Sequence, residues 1–158
     1  MDESGFEKLY EKTARPLRSY VERITGSATL ADDILQETFL RYLRAPLKVE
    51  DDAVKSYLYK IATNLVYDHF RQTKRASRWQ ILLRTQPEAE IVDDNFAGET
   101  EMMQVFRHLQ PQERALLWLA YVEGYQHREI AATLNLSVMS IKVLLFRARR
   151  KLAQMLGD

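Results

Sequence analysis

Three residues between Gln126 and Leu152 constrain this chain more than any other feature. Ala131 is small, as needed where two helices approach closely, and Asn135, four residues on, tolerates the positive φ of a tight turn. Ile141, ten residues after Ala131, supplies an apolar plug beyond the turn. At these spacings the three read as a helix-turn-helix. Ser137 suits the N-cap of the second helix, which then buries Ile141, Leu145, Ala148 and Leu152. Its opposite face carries Lys142, Arg147, Arg149 and Arg150, so it can enter a major groove while its bases hold phosphates. A plain helical hairpin with a solvated basic face is the competing account.

The rest of the chain is helical by the same test. Gly26, Pro46, Pro87, Gly98, Pro111, Gly124 and Gly157 fall at breaks, and between them the apolar spacing follows a helix. Phe6, Leu9, Tyr10, Leu17, Val21 and Ile24 form one stripe that ends near Gly26. A second helix is predicted to start after Thr29 as N-cap, with Asp32 and Asp33 in its first turn and an inner stripe of Ala31, Ile34, Leu35, Thr38 and Tyr42. A third is predicted from Asp52 to about Lys74, with Val54, Leu58, Ile61, Leu65 and Phe70 inward. No segment alternates with period two. The expected fold is all-α: two small helical domains, residues 1–75 and 99–158, joined by a flexible acidic linker over 76–98.

Charge is patterned beneath a formal net value of +1. From Lys55 to Arg84 there are seven bases against Asp68 alone, and from Gln86 to Glu113 seven acids against Arg107 alone. From Gln126 to Lys151 six bases again face one acid, Glu129. Two basic blocks flanking an acidic one suit two nucleic-acid contacts on one chain, and equally suit a set of solvated helix faces. The absence of cysteine excludes disulfides and thiolate metal sites. The polar start Met1-Asp2-Glu3-Ser4 has no apolar signal core behind it, and no stretch approaches the roughly 18 apolar residues of a membrane span. A soluble cytoplasmic protein with no membrane insertion is expected. Asp32, Asp33, Gln36 and Glu37 crowd one helix face, but with no histidine nearby they suit a solvated or protein-docking face better than a metal or acid–base site.

Four stretches together carry a resemblance. Ala31-Asp32-Asp33-Ile34-Leu35-Gln36-Glu37-Thr38-Phe39-Leu40-Arg41 resembles the core-binding helix of bacterial sigma factors of the extracytoplasmic-function (ECF) group. Ser56-Tyr57-Leu58-Tyr59-Lys60-Ile61-Ala62-Thr63-Asn64-Leu65, with Asp68 and Arg71, resembles their promoter-melting helix. Leu109-Gln110-Pro111, Glu113-Arg114 and Tyr121-Val122-Glu123-Gly124-Tyr125 are similar to the first half of their C-terminal domain. Glu129-Ile130-Ala131, Ser140-Ile141-Lys142 and Arg147-Ala148-Arg149-Arg150-Lys151-Leu152 are similar to its helix-turn-helix. Order and spacing match over nearly the whole chain.

The resemblance implies a transcription initiation factor that catalyses no reaction, needs no cofactor or metal, and partners core RNA polymerase, promoter DNA and an anti-sigma factor. Asp32, Asp33, Gln36 and Glu37 would dock on the clamp helices of the polymerase largest subunit, and the C-terminal domain on the flap of the second subunit. Lys55, Tyr59, Lys60 and Asn64 would capture the melted minus-ten strand, with Arg71, Lys74 and Arg75 continuing the phosphate track. Tyr57 sits where the family buries a tryptophan. Ser137, Ser140, Lys142, Val143, Phe146, Arg147, Arg149 and Arg150 would read the minus-thirty-five element, and the acidic linker would run near the RNA path. Met139, Val143 and Leu144 depart from the family, and Leu144 is expected to face away from the buried stripe. Such apolar residues suit thymine methyls or a covering protein. Two rivals stay open: a sigma-like decoy or adaptor, favoured by Val143-Leu144, and a free-standing helix-turn-helix regulator, disfavoured by the Asp32 to Arg41 match.

Overall fold

The computed structural model describes residues 3–45, 51–82 and 100–157, with side chains in the middle segment described over 53–75. Seven helices make up the described chain: α1 (Glu3–Thr25), α2 (Ala28–Arg44), α3 (Asp51–Leu82), α4 (Glu101–Arg107), α5 (Pro111–Tyr121), α6 (His127–Leu134) and α7 (Val138–Gly157). No strand occurs among the described residues.

Local chemistry sets the breaks. Gly26 adopts φ +72° just past α1, where its N–H reaches back to the Glu22 carbonyl at 2.8 Å. Ser27, not Thr29, then caps α2, its hydroxyl accepting the Leu30 N–H at 3.1 Å. The cap therefore lies two residues earlier than expected, directly after the glycine that turns the chain. Gln110 with Glu113 and Gln126 with Glu129 form capping boxes that start α5 and α6. Pro111 opens α5 as expected, whereas Pro16 lies inside α1 on its exposed side. Helix α3 runs on to Leu82, past the expected end near Lys74, so the first part of the expected 76–98 linker is helical. The remaining linker residues and their acidic run lie outside the described residues.

Helices α1, α2 and α3 enclose the N-terminal core. Leu17, Tyr20, Val21 and Ile24 meet Ala31, Ile34, Leu35 and Phe39 from α2, and Val54, Leu58, Tyr59, Ala62 and Val66 from α3. The inward side of α3 thus runs through Ala62, Thr63 and Val66, while the expected Ile61, Leu65 and Phe70 lie half-buried on its flank. Tyr10, placed on the inner stripe of α1 by spacing, is instead exposed. Helices α4 to α7 surround Leu109, Leu116, Leu119, Ile130, Leu134, Ile141 and Leu145. The two halves touch along α1 with α5 and α3 with α6, and their buried residues form one continuous cluster.

Candidate nucleic-acid interface

The helix-turn-helix has the geometry its three marker residues require. Asn135 takes φ 57° and ψ 45°, with its N–H bonded to the Ala131 carbonyl, and Leu136 bonds to the same carbonyl at 2.9 Å. Ala131 and Ile141 are buried between α6 and α7. The Ser137 carbonyl precedes α7 and accepts both the N–H and the hydroxyl of Ser140, at 3.0 and 2.7 Å. Lys142, Arg147 and Arg150 point to solvent and have no ion pair among the described residues. Arg149 donates to the Tyr121 hydroxyl at 2.9 Å, and Lys151 pairs with Glu113 at 3.0 Å, tying the end of α7 to α5. The outward face also carries Val138, Met139, Val143 and Phe146, with Met139 90% exposed. Leu144 is half-buried against the core, contrary to expectation, because a residue three positions after Ile141 borders its stripe.

The acidic face of α2 is solvent-directed. Asp32, Asp33 and Gln36 are exposed and Glu37 is half-buried beside Arg41, its partner at 3.1 Å. Asp32 accepts from Arg18 Nε at 2.6 Å, and that guanidinium holds its carboxyl below the usual carboxylate range. Asp33 and Gln36 border a shallow groove between α1 and α2 whose floor is Phe6, Tyr10, Leu35, Phe39, Leu40 and Leu43. Tyr10, Leu40 and Leu43 are exposed there, so an apolar strip lies beside an acidic rim.

The α3 residues differ from expectation at two tyrosines. Lys60, Arg71, Lys74 and Arg75 are exposed, with Arg71 paired to Asp68 one turn earlier. Tyr59, expected to meet an exposed base, is instead fully buried. Its ring packs against Tyr20 and Tyr125, with centroids 5.0 and 5.7 Å away, and its hydroxyl donates to Glu123 at 2.6 Å. Burial, reinforced by that carboxylate, pushes the hydroxyl far above the ordinary tyrosine value, so it stays a donor. Tyr57, expected in the core, is only half-buried and meets Tyr42 edge-on. Lys55 pairs with the second Glu123 oxygen at 2.9 Å, and Asn64 accepts from Asn135 at 3.3 Å. Glu123 and Asn135, and Arg114 through its bond to the Ile24 carbonyl of α1, bring the C-terminal half onto the N-terminal one. Apolar spacing carries no signal for such contacts across 64 residues or more.

An acidic, apolar groove on α1 and α2, a basic exposed side on α3 and a basic helix-turn-helix on one chain are the surfaces expected of a DNA-directed protein with a second binding face. Residues 9–76 match the Sigma-70 region 2 family and residues 99–152 match the Sigma-70, region 4 family. The chain is 28% identical over 167 residues to the ECF RNA polymerase sigma factor BldN of Streptomyces coelicolor, covering 98% of this chain and 61% of that protein. It is 26% identical to the RNA polymerase sigma factor SigZ of Bacillus subtilis, covering 96% of this chain and 87% of that one. Its fold is similar to that of the sigma factor RpoE of Bartonella quintana, solved with the anti-sigma factor NepR, with a TM-score of 0.76 over 97% of both chains and 20% identity. The chain belongs to the sigma-70 family and, within it, to the ECF RNA polymerase sigma factors, which recognise promoters.

No single helix among the described residues is long and apolar enough to cross a membrane, and no group of three or more metal-ligating side chains occurs among them.

Proposed function

We propose that this chain directs core RNA polymerase to promoters through three surfaces and contributes no catalytic group. Asp33 and Gln36, with Asp32 and Glu37 beside them, dock on the clamp helices. The apolar floor of the α1–α2 groove receives helix side chains while the acids set orientation. Lys60, with Lys55 and Asn64 beside it, holds the minus-ten strand, and Arg71, Lys74 and Arg75 follow its backbone, while the buried Tyr59 supports α3 from within. Ser137, Ser140, Lys142, Val143, Phe146, Arg147, Arg149 and Arg150 read and grip the minus-thirty-five element. The observation that carries this reading is the pairing of a solvent-directed acidic, apolar groove on α2 with an unpaired basic face on α7 in one chain.

In-vitro transcription with purified core enzyme and a promoter library tests it. Transcripts from defined start sites that depend on added chain are expected. Core binding that yields no promoter-specific transcript from any library member would overturn it. The exposed Val138, Met139, Val143 and Phe146 favour a second reading, in which this face is covered by an anti-sigma factor, the kind of partner with which the Bartonella quintana protein was solved. Co-purification of a tightly bound protein released by Val143→Asp and Phe146→Asp would distinguish it.

A further inference from the structure

We propose that α7 selects its duplex site by the C5-methyl groups of the major groove rather than by hydrogen bonds to base edges, so that 5-methylcytosine can stand in for thymine there; this rests on the assignment of α7 to the minus-thirty-five element. At about 3.6 residues per turn, Met139, Val143 and Phe146 follow one another at i, i+4 and i+7 down the middle of the exposed side of α7. They lie opposite the buried Ile141, Leu145 and Ala148. Lys142 lies to one side of this row and Arg147 to the other, both in solvent. Met139, at 90%, is the most exposed large apolar side chain among the described residues, and it stands second in the helix. Exposure of that degree leaves it no packing role in the fold.

A recognition helix meets base edges with its first turns and the middle of its outer side, and meets phosphates with its flanks. On α7 the flanks carry the cations. The middle carries no donor or acceptor until Arg150, about three turns beyond Met139. Ser140 lies off the row, and its hydroxyl donates to the Ser137 carbonyl at 2.7 Å, leaving no free proton for a base. Paired donors and acceptors therefore have no side chain on this row to read them. The groove edge offers one apolar group, the methyl on C5 of thymine. A thioether, an isopropyl group and a phenyl ring gain by burying that methyl, whereas over cytosine they gain nothing there and desolvate its amine. A methylated cytosine restores the same methyl at the same place. Cations on both flanks match two phosphate walls, which favours duplex over a protein surface as the occupant.

For the test, holoenzyme assembled from the full chain and core polymerase is bound to a promoter recovered from the transcription library, with changes confined to the minus-thirty-five element. Each thymine in turn is replaced by deoxyuridine, and each thymine–adenine pair by a cytosine–guanine or a 5-methylcytosine–guanine pair. Deoxyuridine is expected to weaken binding roughly two- to fivefold at each contacted position, and 5-methylcytosine to bind tighter than cytosine by the same factor. Met139→Ser, Val143→Ser and Phe146→Ser in one chain should bring both ratios to unity. Lys142→Gln should instead weaken every duplex alike and leave the ratios unchanged. Ratios that persist in the triple variant would belong to duplex stiffness and would overturn the inference. So would binding blind to the methyl, the result for a row that only docks a protein. Transcription from the unsubstituted promoter is scored separately, so loss of methyl dependence leaves the sigma-factor reading standing, while failure to recover any promoter overturns both.

Discussion

Replacing Arg114 with methionine should remove a large share of the chain's stability. The guanidinium is buried, and its hydrogen bonds go to backbone carbonyls rather than to acids. One terminal nitrogen donates to the carbonyls of Arg107 and Leu109, at 2.7 and 3.1 Å, closing the C-terminal end of α4. The other donates to the carbonyl of Ile24 in the last turn of α1, joining the two domains. Methionine preserves much of the apolar stem and leaves three carbonyls without their charged donor. At roughly 1.5–3 kcal/mol for a hydrogen bond to a charged group, partly offset by relaxation and water entry, a loss of about 3–5 kcal/mol is expected. That is a sizeable part of the roughly 5–15 kcal/mol typical of a folded domain. Lysine should recover less than half, because one ammonium cannot reproduce the fork that spans α1 and α4. Urea denaturation followed by helical circular dichroism, with Trp118 fluorescence reporting the C-terminal core, measures this. A methionine variant within about 1 kcal/mol of wild type would show that water serves these carbonyls equally well, and the role assigned to Arg114 would fail.

Charge reversal at the α2 rim separates its acids. Asp33→Lys should weaken association with core polymerase at least tenfold in a pull-down titration, whereas Asp32→Asn should chiefly loosen the Arg18 contact; equal effects on core binding would contradict the assignment. Replacing thymines of the minus-thirty-five element by deoxyuridine should cost about 0.5–1 kcal/mol per methyl that meets Val143 or Phe146, and Val143→Ser should abolish that sensitivity; unaltered sensitivity in the variant would exclude methyl reading. Stability should fall steeply above about pH 10. Tyr20, Tyr59 and Tyr67 have raised values in the fold, with Tyr67 pushed up to about 12 by burial, and ordinary values near 10.0 when unfolded. Their contribution is complete below the unfolded value and is lost as pH rises from there toward the folded values. Tyrosinate absorbance should therefore rise together with the loss of helix, and full ionisation of a still-helical chain would refute it.

How far each feature was legible in the sequence depends on the range of the interaction that makes it. The turn at Asn135 is local, so residue type alone specified its left-handed backbone. Helix identity and the α7 stripe followed from period, and the residues it misplaced on α7, Leu144 and Leu152, are half-buried at the border and the end of the stripe, where period is least decisive. The α2 cap moved to Ser27 because a glycine with positive φ ends α1 immediately before it, and the spacing of apolar residues does not register that turn. Tyr59 is the informative failure. Its place on α3 was right, but its ring is buried between Tyr20 of α1 and Tyr125, and no local pattern connects it to Tyr125 or to the Glu123 carboxylate that accepts from its hydroxyl.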